Sequence, residues 1–256
     1  MRTTVNLFVC ALVILAIGCN ALSTNPLADP RFNRIAGNGV GDPGCEVSTL
    51  VSTGGPLPNS PKTLAIRWTG YSNFELVYNG KIILLDAYFD RGSMFPPLGF
   101  KAADIKQADL ILIGHGHLDH MSDAASVGAR TGALVAGAPV TTDKLKTQAI
   151  GPKQIRTVTG RGEEILEFSG FKVEPVLGRH GEPPKEVTAA FGNALKSFSR
   201  APTPEQAKER AAIRERGTND PRVVTEGTIA YLITLDNGFR ICIATAAGGS
   251  RITRRQ

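Results

Sequence analysis

The 256-residue chain is poor in several residue patterns, and each shortage excludes a class of protein. It has 4 Cys, at positions 10, 19, 45 and 242, and no Cys-x-x-Cys pair, so a structural zinc site of the finger type is excluded. The apolar run at residues 7–18, LFVCALVILAIG, is 12 residues long, whereas a membrane-spanning helix needs roughly 20. The basic residues, which leave a net charge of +6, are scattered apart from a stretch at 208–216 and the tail Arg251, Arg254 and Arg255. This pattern reads as a solvated surface, and no nucleic-acid partner is expected. The 28 Gly and 16 Pro follow no repeat, which excludes a collagen-like chain. With 42% apolar and 20% charged residues, neither wholesale disorder nor a coiled coil fits.

What is present begins with an address. Arg2 followed by the apolar run at 7–18 has the layout of a secretory signal. The run ends Ala16-Ile17-Gly18-Cys19, which resembles the lipobox of bacterial lipoproteins, with Ala where Leu is usual. That resemblance implies export to the cell envelope and a membrane anchor on lipidated Cys19. Cleavage after Ala21 would instead release a soluble exported protein. Cys45 and Cys242 could pair in such an oxidising compartment. Residues 19–62, rich in Gly, Pro, Asn and Ser, read as a flexible N-terminal arm.

From residue 63 onward the pattern is that of one domain, 63–256. Strands are expected at 63–67, 74–78 and 81–85, the last two joined by the hairpin signal Asn79-Gly80. Short apolar runs at 109–113 and 133–137 read as further strands, with helices over 122–130 and 141–149. Two hairpins follow, 164–176 around Ser169-Gly170 and 228–244 around Asp236-Asn237-Gly238. Between them lies a helical insertion, 183–222, whose helix opens at Thr203-Pro204 and is charged nearly all round. The fold class is mixed α/β (α+β), built on mostly antiparallel sheets.

The chain holds 4 His, and three of them lie in the segment His115-Gly116-His117-Leu118-Asp119-His120. His115 and His117, two apart in an extended segment, point to one side and can hold one metal ion. Asp119 and His120 come where the chain turns toward a helix and can face a second. His-x-His-x-Asp-His is the signature of the metallo-β-lactamase superfamily, which the chain resembles over residues 63–244. Leu84-Leu85-Asp86-Ala87-Tyr88-Phe89 fits the variety found in L-ascorbate-6-phosphate lactonase-like metal-dependent hydrolases. The resemblance implies an αββα sandwich, and Asp86 near the metals, orienting a ligand histidine. It also implies His180, after a strand, as the third ligand beside His115 and His117, with Asp119 and His120 beginning the second set.

The resemblance stops after residue 244. The family's Gly-Asp is missing from Ile243-Ala244-Thr245, and no histidine follows His180. The end therefore reads as truncated or frame-shifted, the last part of the sandwich missing, or else as a divergent short form. The implied function is a metal-dependent hydrolase of a small lactone, ester or phosphodiester, acting through a metal-bound hydroxide with Asp119 as the catalytic residue that orients the nucleophile. Zinc suits the His-rich ligation, and manganese or iron fits a His/Asp set. The alternatives are an impaired remnant that binds at most one metal, and a tethered interaction module of the cell envelope.

Overall fold

A computed structural model describes residues 50–162, 164–181 and 201–245. The expected signal, Cys19, Cys45 and the tail after Thr245 lie outside the described residues. Among the described residues no helix is long and apolar enough to cross a membrane.

Two sheets make the core. In the first, β1 (Ala65–Gly70), β2 (Asn73–Tyr78) and β3 (Lys81–Leu85) run antiparallel. Strands β4 (Leu110–Leu112), β5 (Leu134–Gly137) and β6 (Ile155–Thr157) then add to β3 in parallel, in the order β1-β2-β3-β4-β5-β6. The second sheet holds β7 (Leu166–Phe168), β8 (Phe171–Leu177), β9 (Ile229–Leu235) and β10 (Arg240–Ile243), all antiparallel, in the order β10-β9-β8-β7. Five of the eight described pairings are antiparallel, as expected, and the three parallel ones of the first sheet are what the sequence does not reveal. The reason lies in the β4 and β5 runs, which are buried on both faces and so lack alternation.

The β2–β3 hairpin forms as its turn chemistry dictates. Asn79 and Gly80 both take positive φ, 51° and 71°, and bring Tyr78 opposite Lys81. Along β3 the side chains then alternate between two cores. Ile83 and Leu85 face the second sheet and pack with Leu110, Val173, Tyr231 and Ile233. Ile82 and Leu84 face the other way, toward Ala124, Val127 and Leu145. The latter belong to helices α2 (Ala124–Thr131) and α3 (Pro139–Leu145); the single turn α1 (Leu118–Met121) precedes them. Each large apolar side chain buried in this way contributes about 2 kcal/mol.

The arm expected through residue 62 ends earlier. Residues 51–53 form a turn of 3₁₀ helix with Val51 and Ser52 buried. The fully buried Glu75 holds it there: Val51 N donates to Glu75 Oε1 (3.0 Å) and Ser52 N to Oε2 (2.7 Å). Arg67 Nη1 lies 3.4 Å from the same carboxylate. Glu75→Ala leaves two buried amides without their acceptor, and is expected to cost about 3 kcal/mol in chemical denaturation of the full chain. A loss below about 0.5 kcal/mol would show that residues 50–54 are not held by this carboxylate.

The expected insertion is described from residue 201 on. Helix α4 (Pro204–Arg214) carries a capping box, with Gln206 N donating to Thr203 Oγ1. It is exposed along most of its length, as its charge implies, but Ile213 is buried and Glu209 Oε2 accepts from Ser93 N and Oγ at 2.7 Å. A last short helix, α5 (Arg222–Thr225), leads into β9.

Candidate metal centre

Three connections meet at one end of the sandwich. Two leave the carboxyl ends of the parallel strands β3 and β4, where open α/β sheets place their ligands. The third leaves β8. The segment after β4 is pinned by its neighbours: Gly114 N donates to Asp86 Oδ1 (2.8 Å), Ile229 N to Gly114 O (2.7 Å) and Thr218 N to Gly116 O (2.8 Å). The packing is too tight for side chains at the two glycines. A Cβ on Gly114 would lie 1.9 Å from Thr245 Oγ1, and one on Gly116 2.7 Å from Thr218 Cγ2. Helix α1 then starts at Leu118, so Asp119 and His120 leave the direction of His115 and His117.

All five expected ligands come together. The ring centroids of His115, His117 and His180 form a triangle with sides of 4.8, 4.8 and 5.0 Å. Their ligand atoms lie within 4.8 Å of one another, and the same holds for His115, Asp119 and His120. His115, with its ring 3.7 Å from that of His120, is within ligand distance of both the expected first set and the pair Asp119 and His120.

Asp86 sits directly behind this group. It is buried, with φ of +56°, a left-handed conformation that Asp tolerates better than most residues. Its Oδ2 lies 2.6 Å from His120 Nδ1. That contact leaves His120 Nε2 on the other side, 3.8 Å from Asp119 Oδ2. Asp123 braces the turn from the side of α2. Its Oδ2 accepts from Phe89 N (2.7 Å) and Asp90 N (2.9 Å), and its Oδ1 from Arg216 Nη1 (2.9 Å).

The electrostatics favour neutral imidazoles. Burial, reinforced by the neighbouring imidazoles, holds His115 far below the ordinary histidine range. Burial lowers His117 and His180 too, with His180 and His120 respectively as the next contributors. A neutral imidazole is the form that binds a metal. His120 differs: burial opposes its charge, but the Asp86 carboxylate and the Asp119 charge together outweigh burial and raise it.

The donor set fits a divalent metal. His115, only 2% exposed, has its Nδ1 buried without a hydrogen-bond partner among the described residues. Such an orphaned atom is unfavourable by roughly 1–3 kcal/mol unless something binds the ring. His117 and His180 each bring a ring nitrogen within 4.8 Å of one on His115.

Two further residues reach the ligands without a signal in the sequence. Tyr71 Oη donates to Asp119 Oδ2 (2.9 Å); burial, then the Asp119 charge, raises this phenol and keeps it protonated. Ser72 Oγ lies 3.2 Å from His120 Nδ1. Both sit in the turn between β1 and β2, about 48 residues upstream of their partners, and only the folded chain joins them.

Residues 81–201 match the beta-lactamase superfamily domain. Over that segment, just under half of its length, the chain is similar to the metallo-β-lactamase superfamily. It is similar to a UPF0173 metal-dependent hydrolase of Lawsonia intracellularis, 36% identical over 116 residues, which cover 45% of this chain and 45% of that one. A UPF0173 metal-dependent hydrolase of Methanopyrus kandleri is 35% identical over 117 residues, or 46% and 47% of the two chains. The chain thus spans about half the length of the curated relatives it matches. Among solved structures, a metallo hydrolase of Ignicoccus hospitalis overlays 68% of this chain and 56% of its own, with TM-score 0.41 and 17% identity. The mixed α/β architecture of two packed sheets is consistent with the metallo-β-lactamase-like fold. The matched segment contains Asp86, the four histidines and Asp119, whereas Tyr71, Ser72 and the Arg216–Thr218 brace lie outside residues 81–201.

Proposed function

We propose that the chain is a metal-dependent hydrolase of a small lactone, ester or phosphodiester. The carrying observation is the convergence of His115, His117 and His180, all shifted toward the neutral imidazole, beside the shared set His115, Asp119 and His120. A bound divalent ion, zinc for preference, would supply a Lewis acid and lower the pKa of a water to about 7. The chain's own residues do the rest. Asp86 fixes the His120 ring through Nδ1 and directs Nε2 inward. Asp119, with one oxygen tied to Tyr71, keeps the other free to orient a water proton. Tyr71 remains a hydrogen-bond donor near neutral pH.

The test is turnover by the zinc-loaded full chain on a γ-lactone, a carboxylic ester and a phosphodiester. At least one is expected to be hydrolysed, and Asp119→Ala to lower that rate by about 100-fold or more. An Asp119→Ala chain that keeps its zinc and its rate would refute the assignment.

A second reading has its own observation. His115 is common to both sets, so the described residues offer five ligands where two separate three-residue sites would need six. A single equivalent of bound zinc without turnover on any of the three substrates is the outcome of that remnant reading. For the cellular address the proposal is export with Cys19 as the lipid anchor, and it rests on residues 7–19 alone.

A further inference from the structure

Beside the metal centre lies a cleft of about 310 Å³ including its open mouth, in which Arg91, Arg210 and Arg214 stand among Tyr88, Phe95, Leu118 and Ile213. We propose that this cleft holds an anionic group of the substrate, a phosphate or a carboxylate, through the three guanidinium groups.

The charge is the first ground. Arg210 and Arg214 lie one turn apart on α4 and so share a face, on which like charges repel. Arg91 brings a third positive charge to the same cleft. Among the described residues none of the three pairs with a carboxylate. Their contacts are neutral: Arg91 Nη2 donates to Pro96 O (3.0 Å), and Arg210 Nη1 reaches Met94 Sδ (3.8 Å). The nearby acids are engaged elsewhere, Glu209 with Ser93, Asp90 with Ala102 N, Asp123 with Arg216 and Asp119 with the Tyr71 hydroxyl. A cleft lined by several cations without counter-charge favours an anion. The planar guanidinium fork matches the paired oxygens of phosphate and carboxylate.

Position is the second ground. Leu118 stands between the ligands His117 and Asp119 in the chain and also lines the cleft. The Tyr88 ring meets that of Tyr71 edge-on at 5.7 Å, and the Tyr71 hydroxyl holds Asp119. An anion in the cleft is therefore one residue's breadth from the ligands, as the remote end of a substrate whose reacting bond lies at the metal. Arg210 and Arg214 both lie beyond residues 81–201, so the cleft is completed from outside the matched superfamily domain. That the anion belongs to a substrate rests on the hydrolase reading; that the cleft binds an anion does not.

Calorimetric titration of the zinc-loaded full chain with phenyl phosphate and with phenylacetate separates the two anions, and benzyl alcohol serves as the uncharged control. The Arg210→Gln and Arg214→Gln variants are each expected to weaken binding of one anion fivefold or more, with zinc content and benzyl alcohol binding unchanged. Arg210→Lys, which keeps the charge but loses the fork, is expected to fall between wild type and Arg210→Gln. Equal affinity for both anions in wild type and in the double Arg210→Gln/Arg214→Gln chain overturns the site. Arginine-dependent binding with no hydrolysis of any substrate upholds the cleft and refutes the hydrolase reading.

Discussion

His115→Ala is expected to weaken metal binding by both ligand sets at once. His115 is the one ligand they share, and its buried ring lies within 4.8 Å of His117 and His180 and 3.7 Å of His120. His117→Ala or His180→Ala, by contrast, leaves the set of His115, Asp119 and His120 complete. Zinc affinity is expected to fall by about 100-fold or more in the His115 variant, beyond the 10- to 100-fold typical of losing an outer partner. The consequence reaches stability. Zinc at a thousandfold excess over its Kd would stabilise the wild-type chain by about 4 kcal/mol, and that shift is expected to vanish in the variant. Without metal the order can reverse, because the wild-type chain buries an imidazole whose Nδ1 has no partner, and alanine removes that unfavourable atom. Thermal unfolding with and without zinc checks both halves. A His115→Ala chain that zinc stabilises as much as wild type would dispose of the shared-ligand arrangement.

How much of this was legible beforehand depended on the range of the interaction. Asn79-Gly80 specified its hairpin because the turn demands positive φ at both residues, and nothing distant alters that requirement. The cluster from His115 to His120 was visible because its ligands are neighbours in the chain, and the switch from extended segment to helix at Leu118 spreads them over two sets. Strand β6 escaped notice: three residues at a sheet edge, Ile155–Thr157, partly exposed throughout, carry no period to read. Glu75 looked like any outward residue of an alternating strand, yet it is buried by two amides 23 and 24 residues upstream. Ile213 likewise sat in a helix that seemed polar all round, and only the docked segment at 91–95 gives it a place to bury. Tyr71, Ser72 and Arg216 reach the metal loop through contacts that local sequence does not encode.

Asp86 is the position where fold and site depend on the same atoms, so its variants separate the two roles. Its carboxylate accepts from Gly114 N through Oδ1 and holds His120 Nδ1 through Oδ2, and its backbone occupies the left-handed region. Asp86→Ala removes both contacts and places a less tolerant residue at positive φ. The expected cost is about 3 kcal/mol of stability, with zinc affinity lowered by roughly 10- to 100-fold. Asp86→Asn keeps the left-handed preference and an acceptor for Gly114 but loses the charge facing His120. It is expected to retain most of the stability and still bind zinc more weakly. The pH dependence gives a further check. His120 is raised above its ordinary 6.5 in the folded chain, so without metal its pairing with Asp86 stabilises fully below that pH, and the contribution is lost as pH rises through the raised value. Zinc binding has the opposite sign, since a protonated His120 cannot ligate and affinity falls as pH drops through that same range. In Asp86→Asn the raised value should return toward 6.5 or below, flattening the metal-free stability profile and extending zinc binding to lower pH relative to neutral. Profiles unchanged in the variant would mean that Asp86 does not set the protonation of His120, and its place behind the ligands would then be packing alone.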